Sequence, residues 1–242
     1  MQFLGLCFLN FYLSLKQIVT FRVEKTELVR QLVFIAYESL PMILVLTCVS
    51  SLIITVNTAT ELIKYGGREL IGAAITLSNL QEITPIFIAF AITARCGTAF
   101  TAEIATMKIS DQLDALKIMK IDQLYYLMTP KLFAIILLTP FVLAISAIVS
   151  MISGMLMANY AIKLEYFEFL DSAWRYASLK EYFYPLIKAE IFNIYTVIVC
   201  VTCALTAGDS SKDVGIATSR ASTAVLIGVV IINGFLTPIM YH

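Results

Sequence analysis

An all-α membrane protein is what this sequence predicts, with about five transmembrane helices, an N-terminal interfacial helix and one short amphipathic helix outside the spans. Three observations carry that expectation. Of 242 residues, 60% are hydrophobic and 14% charged, where a soluble domain carries about a quarter charged residues. Mean hydropathy is +0.86, more apolar surface than a globule of this size could withdraw from water, so lipid must be the solvent for much of it. The charges are also unevenly placed and bracket long runs that contain none.

The elements follow in chain order. Met1–Phe21 is apolar but reaches Lys16 after 15 residues. It lacks the basic n-region and the A-x-A-like cleavage site of a signal peptide. With Lys16, Arg22 and Lys25 close behind, it suits an interfacial helix over 1–21 lying on the membrane. No Arg- and Ser-rich transit peptide is visible, which favours a bacterial or plastid-encoded origin. Uncharged runs then cover Ser39–Thr60, Leu132–Ile162, Ile191–Gly208 and Ala221–His242. Each is long enough for a hydrocarbon core of about 30 Å. The second of these would be roughly 46 Å long as one helix, so it tilts or protrudes. A weaker run, Asn79–Phe100, is interrupted by Glu82. The expected organisation is a single domain over 1–242 with spans at about 31–60, 79–103, 132–162, 183–207 and 221–241.

Five spans place the termini on opposite sides, and the positive-inside rule orients them. One side would hold Lys16, Arg22, Lys25, Arg30, Arg95, Lys108, Lys117, Lys120, Lys131, Lys212 and Arg220; the other holds Lys64, Arg68, Lys163, Arg175, Lys180 and Lys188. The excess places the N-terminus on the cytoplasmic or stromal side.

Composition also excludes function classes. Net charge is zero and the pI near 6.6, which argues against a nucleic-acid binder. His242 is the only histidine, so neither a Ser-His-Asp triad nor a His-based metal site can be built in the fold. No G-x-x-x-x-G-K-[ST] segment is present, so this chain has no P-loop for ATP. Cys7, Cys48, Cys96, Cys200 and Cys203 all lie in apolar stretches; the C-x-x-C spacing of the last two is expected to serve packing, and no metal is expected.

Small residues recur every four positions at Ala89, Thr93, Gly97, Thr101, Ala105 and at Ser146, Ser150, Gly154, Ala158. Such stripes let helices approach closely, either inside one chain or at a dimer seam. Glu38, before Pro41, either pairs with Arg30 or marks the edge of the first span.

Leu80–Ala134 is the most informative stretch: LQEITPIFIAFAITARCGTAFTAEIATMKISDQLDALKIMKIDQLYYLMTPKLFA. An apolar helix ends in Arg95, Gly97 and Glu103, and a new span begins after Pro130. Between them Ser110 is a candidate N-cap, with Asp111 near the positive dipole end. Ile109, Leu113, Leu116 and Met119 form one apolar face, while Asp111, Asp114, Lys117 and Lys120 point elsewhere. That face suits either the protein's own spans or the groove of a partner. Asp114 and Lys117 are spaced as an i, i+3 ion pair. Arg95 and Glu103, two turns apart, are expected to form a structural ion pair with each other or with a neighbouring span, holding spans two and three. Glu82 is either a helix-end residue in water or a functional carboxylate within the membrane.

The ordered set of motifs resembles the MlaE-type family of ABC lipid transporter permeases (MlaE/TGD-like, MCE-associated). Glu82 and Pro85 fit its E-x-x-P. Ala94, Arg95, Gly97, Ala99, Ala102, Glu103 and Met107 fit its A-R-x-G-x-A-x-x-A-E-x-x-x-M. Ser110, Gln112, Asp114, Ala115, Leu116 and Met119 continue the match, as do Pro130, Ala134 and the tail VGIATSRAS over Val214–Ser222. Departures are Gln81, where the family often has Arg, Asp122-Gln123 for Asp-Pro, and Pro130-Lys131 for Pro-Arg.

The resemblance implies a homodimeric permease subunit in a bacterial inner membrane or plastid inner envelope. It implies a separate cytoplasmic ABC ATPase dimer, which holds ATP and Mg, an MCE-domain partner, and phospholipid or a related lipid as cargo; no cofactor is expected in this chain. It makes the segment of about 109–120 a cytoplasmic coupling helix, with Ile109, Asp111, Leu113, Asp114, Leu116 and Lys117 toward the ATPase. It places Ile54, Leu62, Tyr65 and Glu82 in a lipid site opening to the outer side. The competing readings are an ATPase-independent secondary transporter or channel, with Glu38 or Glu82 relaying protons, and a membrane scaffold that transports nothing.

Overall fold

A computed structural model describes residue 5, residues 25–176 and residues 178–241; apart from Gly5, the expected interfacial helix over 1–21 lies outside them. The described residues are helical without strands, and five stretches are long and apolar enough to cross a membrane: Lys25–Lys64, Arg68–Ile109, Gln123–Ile162, Lys180–Leu205 and Ser211–Tyr241. The protein is an all-α membrane protein.

Span one is a single helix, α1 (Lys25–Lys64). It outruns its uncharged core because its first turns hold their own charges: Glu27 pairs with Arg30 at 3.4 Å and accepts from Gln31 Nε2 at 2.7 Å. Span two follows one 3₁₀ turn (Arg68–Leu70) and is built from α2 (Ile71–Ser78), α3 (Thr84–Ile92) and α4 (Thr98–Ile109). These are joined without a break by two wider π-helical turns, Asn79–Ile83 and Thr93–Gly97. After α5 (Gln112–Ile118) and α6 (Gln123–Leu127), span three is α7 (Thr129–Ile162). Pro130 occupies its first turn, where the missing N–H is no loss. α8 (Tyr166–Tyr176) then leads to α9 (Leu179–Leu205), span four, and α10 (Ser211–Tyr241), span five.

Spans one and three pack along period-four ridges. The buried face of α1 is Gln31, Ile35, Ser39, Ile43, Thr47, Ser51, Thr55 and Ala59, the i±4n row of a helix. Its hydroxyls satisfy themselves on the turn behind: Ser39 donates to Ile35 O at 2.6 Å, Thr47 to Ile43 O at 2.9 Å and Thr55 to Ser51 O at 2.7 Å. Ser51 instead crosses to the Ser150 carbonyl at 2.5 Å. Gly154 lies opposite, where a Cβ would come within 3.0 Å of Ser51 Oγ. The Ser146–Ala158 stripe therefore packs inside the chain.

The other small-residue stripe faces α9. Thr101 donates to the Cys200 carbonyl at 3.2 Å, and a Cβ on Gly97 would meet Cys200 Sγ at 2.9 Å. Asn193 of α9 donates to Thr139 of α7 at 2.9 Å, so span four is fastened on two sides. Cys96, Cys200 and Cys203 are buried in this packing. Span five is peripheral: Ala217, Ala221, Val225 and Val229 face the bundle, while Ile227, Val230, Ile231, Phe235 and Ile239 face outward.

The short helix departs from expectation at both ends. Ser110 closes α4, with Oγ donating back to Thr106 O at 2.9 Å, and does not cap the next helix. The chain turns at Asp111, which takes a left-handed φ of 56° and precedes α5 with no side-chain cap. Ile109 thus ends span two, and the expected 109–120 helix contracts to Gln112–Ile118. It terminates in a Schellman arrangement: Ile121 N donates to Leu116 O at 3.0 Å and Lys120 N to Lys117 O at 2.9 Å. Lys120, at φ 59°, fills the position usually held by glycine.

Candidate functional site

Connectivity places α5 and the 206–210 turn at one end of the bundle, and α8 with the 65–70 loop at the other. Near the α8 end, span two presents Glu82 from its first π turn. A π turn accommodates one residue more than an α turn, and such insertions recur at functional positions. Glu82 Oε1 accepts from Lys188 Nζ at 2.8 Å and from Thr237 Oγ1 at 3.0 Å; Oε2 accepts from Asn233 Nδ2 at 3.2 Å. Lys188 also donates to Thr237 Oγ1 at 2.9 Å and to the Gln81 carbonyl at 3.3 Å, and its ammonium stands 5.7 Å from the Tyr241 ring centroid. The Gln81 side-chain amide donates to Glu181. Spans two, four and five therefore meet at one polar cluster. Its cation is fully buried and its carboxylate side chain is 32% exposed. A charge withdrawn this far persists only when paired and hydrogen-bonded.

The other residues expected at a lipid site lie apart from this cluster in their hydrogen bonding. Ile54 is half-buried on α1, and Leu62 packs partly against the small core around Ile71, Ala158 and Phe169. Tyr65, just past the end of α1, is 84% exposed. None of them is among Glu82's partners, which come from α9 and α10.

Arg95 and Glu103 do not pair with each other. Arg95, in the second π turn, bonds Glu38 of α1 at 2.5 Å, while Glu103 on α4 meets Lys131 of α7 at 3.1 Å. The intervening π turn widens the helix and changes which neighbour each residue faces. Glu103–Lys131 links spans two and three, and Glu38–Arg95 links spans one and two. Glu38 is thus not paired with Arg30, which reaches Glu27. Lys131 is 3% exposed and also lies 5.0 Å from the Phe100 ring centroid.

At the far end, α5 has an inner and an outer side. Leu113 and Leu116 are buried in the main core, where they make internal contacts. Ile118 is 83% and Met119 59% exposed; Asp111, Asp114 and Lys117 are exposed beside them, with Lys117 bonded to Asp114 at 2.8 Å. Gln123 Nε2 donates to Leu113 O at 2.5 Å, so α5 is tied to the start of span three as well as to span two.

Lys188, Asn233 and Thr237 were not legible as site residues. Lys188 counts among the charges of one side, just ahead of Glu190 and the uncharged run from Ile191, and Asn233 and Thr237 sit one helical turn apart in the last span. Isolated polar residues at that spacing were the available signal.

Comparison with known proteins agrees with the sequence motifs. The family model for the permease MlaE matches residues 28–239. A probable ABC transporter permease protein of Synechocystis sp. is 30% identical over 221 residues, covering 91% of this chain and 84% of that protein. One from Rickettsia typhi is 27% identical over 240 residues, covering 99% and 93%. The probable ABC transporter permease protein ycf63 of Pyropia yezoensis is 29% identical over 232 residues, covering 96% and 88%.

Proposed function

Since the chain belongs to the MlaE permease family and is the membrane subunit of an ABC transporter, we propose that it moves phospholipid or a related lipid, driven by a separate ATPase dimer. The observation that carries the lipid reading is the Glu82–Lys188 pair: a partly exposed polar anchor in a bundle whose outward helix faces are apolar. An amphiphile asks for that combination, since its headgroup needs charged or hydrogen-bonding partners and its chains need an apolar wall. Glu82, with its accessible carboxylate edge, contacts the headgroup region. Ile54 and Leu62 of span one, with Tyr65 just past its end, supply apolar wall, completed by a second copy of the chain.

The ATPase docks at α5. The contact surface is Ile118 and Met119 with Asp111, Asp114 and Lys117, while Leu113 and Leu116 hold the helix to the bundle. ATP and Mg act on the partner. The α5 side faces the cytoplasm or stroma, where the basic residues concentrate. An MCE-domain protein receives or delivers lipid at the α8 side, in a bacterial inner membrane or a plastid inner envelope.

The test is affinity purification of tagged protein in mild detergent, comparing wild type with Ile118→Asp/Met119→Asp. An ATPase retained by wild type and lost from a folded variant supports α5 as the dock. Lipid movement in proteoliposomes that runs without ATP and collapses with an ion gradient would overturn the ATP-driven reading in favour of a secondary transporter.

A further inference from the structure

α8 connects spans three and four and has three distinct sides. At about 100° per residue, Phe169, Ser172 and Ala173 form one sector, and all three are buried. Glu168, Asp171 and Arg175 form a second, charged sector, in which Arg175 pairs with Asp171 at 2.8 Å and Glu168 with Arg68 at 3.3 Å. Tyr166, Phe167, Leu170 and Trp174 form the third. On it Phe167 is 80% and Trp174 72% exposed.

The buried sector is fastened firmly to span two. Ser172 Oγ accepts from Ala73 N at 3.1 Å and donates to Glu69 O at 2.6 Å. Gly72 lets the two backbones touch, since a Cβ there would collide with the Phe169 carbonyl. The helix also cannot rise far from the bundle. Three residues separate it from α7, and Asn159 Nδ2 holds the Leu164 carbonyl at 2.9 Å.

We propose that α8 is a membrane-surface helix whose Phe167–Trp174 side is seated in the lipid of the leaflet opposite α5. One side for protein, one charged for water and one aromatic for the boundary between headgroups and chains is the pattern of an interfacial helix, and Trp and Tyr concentrate at that depth. The occupant is lipid because α8 follows span three after only three residues, and that span presents its own outward apolar stripe: Phe141, Ile145, Ile148, Ile152, Leu156 and Tyr160. Lipid packing in that leaflet then bears on α2, the segment of span two that leads into the Glu82 turn.

Trp174 is the only tryptophan in the chain, so its fluorescence reports on α8 alone. The full chain is reconstituted in phosphatidylcholine vesicles carrying bromine at shallow or deep acyl positions, with iodide as the aqueous quencher. The expected result is blue-shifted emission, quenching stronger by shallow than by deep bromine, and iodide quenching severalfold below that of free tryptophan. Phe167→Trp in a Trp174→Phe background moves the reporter two turns along the same side and gives the same pattern. Strong iodide quenching without bromolipid quenching would place α8 in water and overturn the proposal. Resistance to both quenchers would also overturn it, by showing that a second copy or another protein covers this side. The readout needs neither ATPase nor transport, so it stands or falls separately from the transport reading.

Discussion

The Glu82–Lys188 pair predicts an asymmetry that a stability measurement can resolve. Glu82→Met leaves the Lys188 ammonium fully buried, with only the Gln81 carbonyl and the Thr237 hydroxyl as hydrogen-bond acceptors among the described residues. Removing one partner from a buried pair costs roughly 3–5 kcal/mol, because the remaining charge is desolvated and uncompensated. Lys188→Met leaves the opposite remainder. The Glu82 carboxylate keeps Asn233 at 3.2 Å and Thr237 at 3.0 Å, and its side chain is 32% exposed. Exposure screens the lost attraction, so the expected cost is lower, about 1–3 kcal/mol. The double variant Glu82→Met/Lys188→Met removes both charges and is expected to be more stable than Glu82→Met alone, since it leaves no stranded ion. Unfolding of the three variants and wild type in one detergent, by a reversible denaturant titration, reads all four values. A Lys188→Met cost equal to or above that of Glu82→Met, or strictly additive single costs in the double variant, would refute the reasoning.

Four further outcomes follow from the packing. Gly72→Ala inserts a methyl group against the Phe169 carbonyl and should destabilise by about 1–3 kcal/mol, with a shift in Trp174 emission because α8 is pushed from its seat. Ser51→Ala removes the bond to the Ser150 carbonyl and an acceptor 3.3 Å from Asn79 Nδ2; thermal unfolding in detergent should show a loss of about 1–2 kcal/mol. Glu103→Met strands Lys131, 3% exposed, against the Phe100 ring, and should cost roughly 3–5 kcal/mol, while Asp114→Ala, breaking an exposed pair, should cost under about 1 kcal/mol.

The spans were legible because lipid imposes a one-dimensional rule: every residue crossing the core must be apolar or paired. Ser39–Thr60 and Leu132–Ile162 obey it visibly. What was not legible depended on which helix stands next to which. Arg95 and Glu103 share one face of a regular helix, so pairing them was reasonable, but the π turn at Thr93–Gly97 leaves no periodicity in the sequence. Lys188 looked like a boundary charge because its partner lies more than 100 residues earlier, at Glu82. For α5 the apolar face was visible, yet its boundary was missed: Ser110 and Asp111 have cap chemistry whether they end one helix or begin the next. Burial then divided the expected coupling residues, drawing Leu113 and Leu116 into the core and leaving Asp111, Asp114 and Lys117 outside, beside the exposed Ile118 and Met119.

Span two is where the two ends of the molecule communicate. It begins under α8, carries Glu82 and Arg95 in its two π turns and ends in the Ser110–Asp111 turn that holds α5. A displacement of α5 has two exits. One runs through Gln123 to the start of span three, where Glu103–Lys131 ties it back to α4 and the Ser51–Ser150 seam passes it to α1. The other runs up span two itself, where α-helical stretches transmit a push as rods and the two π turns interrupt that regularity. Both turns carry an interhelical ion pair, Glu38–Arg95 below and Glu82–Lys188 above. A one-residue slip of either turn would rotate its charged side chain by about 100° and break that pair. On the proposed docking, driving force at α5 would therefore be spent where span two is least regular, and the first residues displaced at the far end would be those of the Glu82–Lys188 cluster, the proposed headgroup contact.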